Sequence, residues 1–262
     1  MELDVIYENL VSCVDFELEQ IGECELLEDL SDLCGLLSQE YRSLAICKLL
    51  MDGDTDGFYH DLIRSAKTWL YFLDKNYTSH SSVRITICAS RNSAIFDALS
   101  AAQVHIAAQI AGMSSSIWSP DDEYEDDFWY AHFINLFVLY TVTRKAIHFD
   151  EVLNSFEASL KGASDIRYKL CRALLEKNAG DFEFYFECLL KERSTLIRSD
   201  EDTAIGEEIS FNLEKHVYIE GLALLRLAEN VGINCNQEFL YCPPLARIPM
   251  VKEFPGGGYP KK

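Results

Sequence analysis

Apolar side chains recur every three to four residues along most of the chain, and strict alternation is almost absent. That period belongs to amphipathic helices. Between Asp54 and Tyr77, the positions Phe58, Leu62, Ala66, Trp69 and Leu73 form one stripe, which Ile63, Leu70 and Tyr77 widen. Asp54 is placed to cap that helix, and Gly53 to end the segment before it. From Phe211 to Val231 the chain is apolar nearly all round, with Leu213, Val217, Gly221, Leu224, Ala228 and Val231 on one face. Such a helix belongs at the centre of a bundle. Gly221 on its packed face would let a neighbouring helix approach. The same reading predicts helices over roughly 3–20, 25–51, 92–112, 120–144, 149–161, 164–178 and 181–197, with Gly112, Gly162, Gly180 and Gly232 as stops. Val83–Cys88 is the one strand-like run, and with no partner strand it reads as an extended connector.

The predicted fold is therefore all-α: a multi-helix bundle with repeat-like helical hairpins and an irregular C-terminal tail. The hairpin reading comes from Ala173-Leu174-Leu175 with Asn178-Ala179-Gly180-Asp181, and from Leu224-Leu225-Arg226 with Asn230-Val231-Gly232. Their spacing is too irregular for a solenoid. One domain is expected over 1–248. Pro249, Pro255 and Gly256-Gly257-Gly258 keep 249–262 from being helical for long, so that tail is expected to be flexible.

One segment resists a purely structural reading. Asp121-Asp122-Glu123-Tyr124-Glu125-Asp126-Asp127 carries six acids, just after Ser119-Pro120 and just before the apolar run from Phe128 to Val142. Ser119 as N-cap and Pro120 at the first helical position would place all the acids in the first two turns of a long helix. The helix dipole favours one or two acids there. Asp122/Asp126 and Glu123/Asp127 at i,i+4 would repel. The surplus points to a partner outside the helix. A second acidic stretch, Asp200-Glu201-Asp202 with Glu207-Glu208, falls in the longest internal loop, where binding residues concentrate. These eleven acids are the candidate partner-binding residues. A solvated, well-capped helix start is the plain alternative for the first six.

Charge sharpens the picture. The 262 residues hold 43 acids against 23 basic residues, for a formal net charge of −20. Such a balance argues against phosphate backbones and anionic membranes, and favours a basic protein partner. The longest strongly apolar run is too short to span a bilayer, and the N-terminus shows no signal peptide. Nine cysteines, an odd number without any Cys-x-x-Cys pair, read as free thiols on buried helix faces in a reducing cytoplasm.

Little catalytic chemistry is visible. Asp121-Asp122-x-x-Glu125 loosely matches the Asp-rich motif of all-α terpenoid synthases, which holds Mg²⁺ and diphosphate. The second motif of that class would fall on Asn212, His216 and Glu220, where His replaces the hydroxyl residue. The acids also precede their apolar run instead of following it. Among the histidines, His60, His80, His105, His132, His148 and His216, there is no metal-ligand spacing. His105 and His132 read as core residues. The expectation is a chain that is not an enzyme and that uses neither metal nor cofactor.

Several motifs resemble the immunity protein 49 family. They are Ser93-Ala94-Ile95-Phe96-Asp97-Ala98-Leu99-Ser100-Ala101-Ala102, then a second helix to Gly112, Trp118, and Tyr124-Glu125-Asp126-Asp127-Phe128-Trp129-Tyr130-Ala131. Glu220-Gly221-Leu222-Ala223-Leu224-Leu225-Arg226-Leu227-Ala228, Gly232 and the ending Pro243-Pro244-Leu245-Ala246-Arg247 complete the set. The likeness covers about 90–247; the first eighty residues match only in being helical. It implies a cytoplasmic, all-α, non-enzymatic immunity protein of a polymorphic toxin system, including contact-dependent and type VI secretion effectors. Its partner would be a cognate protein toxin, such as a nuclease with a basic active-site surface. A general helical scaffold or adaptor is the alternative. Neither the toxin's activity nor the oligomeric state is legible.

Overall fold

Gly53 and Asp54 set the first strong feature of the architecture, the tight turn between α2 (Leu27–Asp52) and α3 (Thr55–Thr78). Gly53 takes φ +63 and donates its N–H to the Leu49 carbonyl at 3.1 Å. Asp54 Oδ1 then accepts the Gly57 N–H at 3.0 Å, capping α3. In this computed structural model, which describes residues 3–78, 87–91 and 93–261, α2 and α3 form the most extensive helix pair, and α1 (Leu3–Glu23) packs on α2. Phe58, Leu62, Ala66, Trp69, Phe72 and Leu73 are all buried along α3, so the stripe read from the sequence is the core face. Val83–Thr86 of the strand-like run, and His80, lie outside the described residues.

The remaining helices are α4 (Ser93–Ser100), α5 (Val104–Met113), α6 (Glu125–Thr143), α7 (Phe149–Ser159), α8 (Ile166–Glu176), α9 (Ala179–Asp200), α10 (Ile209–Glu214) and α11 (Ile219–Asn230). Among the described residues there are eleven α-helices and no strand; the all-α expectation holds. Helix α11 packs on α4, α4 on α3, and α6 lies against α5, α7 and α8. Lengths run from 6 to 26 residues. The repeat-like character remains a property of the sequence alone.

Several boundaries differ from the sequence reading, each for a local reason. The segment expected as one helix over 92–112 breaks at Ala102, which takes φ +55 after α4. The long helix expected over 211–231 is two: α10 closes at Lys215, and the chain turns through Val217 before Ile219. That turn is held by Tyr218, whose N–H donates to the Tyr241 carbonyl at 2.8 Å. Gly180 does not stop a helix; it lies in the first turn of α9, which Asn178 caps, and Lys177 at φ +54 ends α8. The close neighbours of Gly221 are Tyr218 and Cys242, not another helix: a Cβ there would sit 2.6 Å from the Tyr218 ring and 2.9 Å from the Cys242 sulfur. His105 is exposed, not core, whereas His132 stacks on Phe128 at 5.4 Å and burial lowers its pKa.

Two polar knots sit inside the bundle. Arg42 of α2 grips Asp97 of α4 through Nε–Oδ1 at 2.7 Å and Nη2–Oδ2 at 2.8 Å. Ser65 adds a hydroxyl to Asp97 Oδ2 at 2.6 Å and meets Ser38 at 2.7 Å. In α3, Asp61 joins Lys48 at 2.6 Å and also pairs with Arg64. All nine cysteines are unpaired; Cys34, Cys47, Cys88, Cys171, Cys235 and Cys242 are buried, and Cys13 is exposed. No helix of the described residues is long and apolar enough to cross a membrane.

The C-terminal segment, expected to be flexible, lies along α3. Val251 and Lys252 donate their N–H groups to Asp56 Oδ1 at 2.7 and 3.1 Å, and Tyr59 donates to the Ile248 carbonyl at 2.6 Å. Further on, Arg64 reaches the Gly257 carbonyl and Tyr41 the Gly258 carbonyl.

Candidate functional site

The acid cluster folds differently from its expected place in α6. Helix α6 begins at Glu125, with Tyr124 as its N-cap and no side-chain cap. Ser119-Pro120-Asp121-Asp122 forms a turn instead, in which the Ser119 carbonyl accepts from the Asp122 and Glu123 N–H groups, both at 3.1 Å. Proline in second place suits such a turn as well as it suits a helix start. The six acids therefore divide between a turn and the first turn of α6, and the i,i+4 repulsion expected for Asp122/Asp126 and Glu123/Asp127 is not imposed by a shared helix.

Half of the cluster has work inside the molecule. Glu123 Oε2 accepts the Ser90 N–H at 3.0 Å, and the Glu123 carbonyl accepts the Trp118 indole N–H at 3.1 Å. Arg167, at the second position of α8, donates to Asp127 Oδ1 at 2.6 Å and to Asp126 Oδ2 at 3.1 Å. Its Nη2 also reaches Asp165 Oδ2 at 3.1 Å, and Asp165 caps α8 by accepting the Tyr168 N–H. Three carboxylates thus surround one guanidinium, leaving local negative charge. Asp121 and Asp122 are exposed, and Asp122 takes the Ser119 hydroxyl at 2.5 Å. Glu125 is half-exposed.

These groups frame a cleft of about 660 Å³. Ser90, held by Glu123, is on one rim. Asp127, Tyr130 and Ile134 of α6 form one wall, Asp165 and Arg167 another, and Leu189, Glu192, Arg193 and Leu196 of α9 a third. Tyr218 and Glu220, at the start of α11, close the floor. Tyr130 donates its hydroxyl to Glu220 Oε1 at 2.6 Å, and Tyr218 lines the cleft beside that carboxyl group. Burial, then the Glu220 charge, holds both phenols well above their ordinary pKa, so they stay protonated donors. Arg193 lies over the Tyr218 ring at 4.1 Å and Arg167 over the Tyr130 ring at 5.2 Å.

The second acidic stretch borders a neighbouring hollow. Asp200, the last residue of α9, lines a cavity of about 210 Å³ with Phe211, Glu214 and Lys215, and this cavity shares Arg193 and Leu196 with the large cleft. Glu201 is exposed and meets Lys215 at 3.5 Å. Asp202, Glu207 and Glu208 are exposed, and the Glu208 carbonyl anchors the first turn of α10 by accepting the Asn212 N–H at 3.1 Å. Tyr130, Arg167, Arg193 and Tyr218 were not singled out as binding residues by sequence reasoning, and Glu220 was a candidate only in the terpenoid-synthase pattern; the five meet here. They come together from four helices and the α10–α11 turn, which no local spacing announces.

The terpenoid-synthase pattern does not assemble. Asp121 and Asp122 lie in the turn and Glu125 in α6, while Asn212 and Glu220 fall on different helices. Asn212 spends its amide on the Gly206 and Glu208 carbonyls. No group of three or more His, Cys, Asp or Glu among the described residues is arranged to hold a metal ion. Compared with family models, with curated proteins and with solved structures, the chain matches none of them.

Proposed function

We propose that this chain binds a basic protein partner and neutralises it, acting as an immunity protein of the kind its motifs resemble. One observation carries the reading. Two acidic stretches far apart in sequence border adjacent cavities that share Arg193 and Leu196, Asp127 lining one and Asp200 the other. An acidic face with a cleft in it, on a molecule of net charge −20, speeds encounter with a basic surface and disfavours acidic competitors. The exposed acids Asp121, Asp122, Asp202, Glu207 and Glu208 supply the outer field. The carboxylates around Arg167 hold the cleft wall.

The test is co-expression with the product of the immediately adjacent gene. A stable complex, relief of that product's growth inhibition, and an association rate that falls as salt rises are expected. A chain with Asp121, Asp122, Asp202 and Glu207 all changed to Lys should associate at least tenfold more slowly at low salt. Unchanged association and protection by that variant would remove the acidic face from the interface. No complex and no protection with the wild-type chain would sink the reading itself.

A further inference from the structure

Glu220 is a carboxylate without a cation. Tyr130 donates to it at 2.6 Å and Tyr218 lines the cleft beside it, but among the described residues no Lys or Arg side chain comes within ion-pairing distance of it. Neither guanidinium that lines the cleft is paired with Glu220. Arg167 serves Asp126, Asp127 and Asp165. Arg193 lies over the Tyr218 ring and donates through Nη2 to the Glu214 carbonyl, its buried Nε having no partner. Ile95, Ile134, Leu189 and Leu196 supply the apolar part of the lining around Glu220. At about 660 Å³ the cleft has room for a side chain and part of the loop that carries it.

We propose that this cleft receives one lysine side chain of the partner protein, a proposal that rests on the reading of a basic protein partner. The four-carbon stem lies against Ile134, Leu189 and Leu196. The ammonium reaches the floor, where its three N–H donors meet three oxygens: the Glu220 carboxylate and the phenolic oxygens of Tyr130 and Tyr218. The Tyr130 phenol donates to Glu220 and keeps a lone pair for the ammonium. A compact ammonium fits this triangle better than a planar guanidinium, which needs a two-oxygen edge free of other donors. The carboxylates of Asp127, Asp165 and Glu192 surround the path inward and favour a cation over an anion.

The probe is a short neutral peptide bearing a single lysine, compared with the same peptide carrying Nε-acetyl-lysine or glutamate. Methyl-labelled Ile95, Ile134 and Ile166, which line the cleft, report binding by NMR. Saturable shifts with the lysine peptide are expected, weakened at least tenfold by acetylation and at least tenfold in Glu220→Gln. That variant keeps an acceptor for Tyr130; an unchanged unfolding transition verifies its fold, and Leu189→Lys provides a second variant that blocks the cleft with its own cation. Equal shifts from the acetylated or glutamate peptide, or equal lysine binding by both variants and wild type, would overturn the proposal. With the adjacent gene product, equal affinity for wild type and Glu220→Gln overturns the lysine site and leaves the basic partner standing. Lysine-peptide binding without any binding of that product supports the site and overturns the partner.

Discussion

Arg167 on α8 donates to Asp127 on α6 at 2.6 Å, and this contact turns part of an acidic helix start into a wall between two helices. The same guanidinium holds Asp126 and Asp165. Changing Asp127 to Lys would face one cation with another across a half-buried gap. A loss of about 1–2 kcal/mol is expected, between an exposed and a buried pair. Asp121→Lys, on the exposed turn, should leave the unfolding midpoint within about 0.5 kcal/mol of wild type. Denaturant titration of the two variants checks the contrast, and equal midpoints would mean that Arg167 does not depend on Asp127.

The buried Arg42–Asp97 pair gives a larger expectation. Asp97 is 0% exposed and takes Nε and Nη2 of Arg42 and the Ser65 hydroxyl. Asp97→Ala removes the buried partner of Arg42, leaving only Glu214 at 3.6 Å, and unties the junction of α2, α3 and α4. The cost should be about 3–5 kcal/mol. A loss under about 1 kcal/mol in equilibrium unfolding would show that water reaches the site.

Leu224 is 1% exposed in α11, which packs on α4. Leu224→Ala should cost about 2–5 kcal/mol through lost burial and the cavity left behind. Leu224→Asp should not fold stably, because an unpaired charge finds neither partner nor water there. Cooperative unfolding of the Asp variant near the wild-type midpoint would place this face outside the core.

How much of this was legible depends on the range of the interaction. The stripe from Phe58 to Leu73 was, because a 3.6-residue period is local and directly encodes the buried face. The turn at Gly53-Asp54 was legible for the same reason. The break at residues 215–218 was not: it is fixed by Tyr218 bonding to Tyr241, and no apolar period records that contact. Nor was the start of α6. Ser119-Pro120 serves a helix cap and a turn equally well, and what decides is Glu123 reaching Ser90 across the fold. The cleft was the least legible part. Glu220, Tyr130, Arg167 and Arg193 become one site only when α6, α8, α9 and α11 meet.

The α1–α2 contact makes stability depend on pH in an uncommon direction. Glu17 of α1 is 4% exposed and lies beside Glu40 of α2, and each has one buried oxygen without a partner. Burial, then the hydrogen bond to Glu40, raises the Glu17 pKa to about 8; burial raises that of Glu40 as well. Cys13, Cys34 and Tyr41 lie near the pair, and burial raises each above its ordinary value, so all three stay neutral. The folded state therefore keeps a proton that the unfolded chain gives up near pH 4.5. This contribution is fully present below about pH 4.5 and declines as pH rises toward about 8, the reverse of an ion-paired carboxylate. Glu17→Gln retains a donor for Glu40 without needing the proton. The variant should match wild type near pH 5 and exceed it by about 1–3 kcal/mol at pH 8. Taking the difference between the two chains cancels the general self-repulsion of a protein at −20. Urea unfolding of both at pH 5, 6.5 and 8 decides the matter: parallel stability curves would mean that Glu17 is ionised in the folded state.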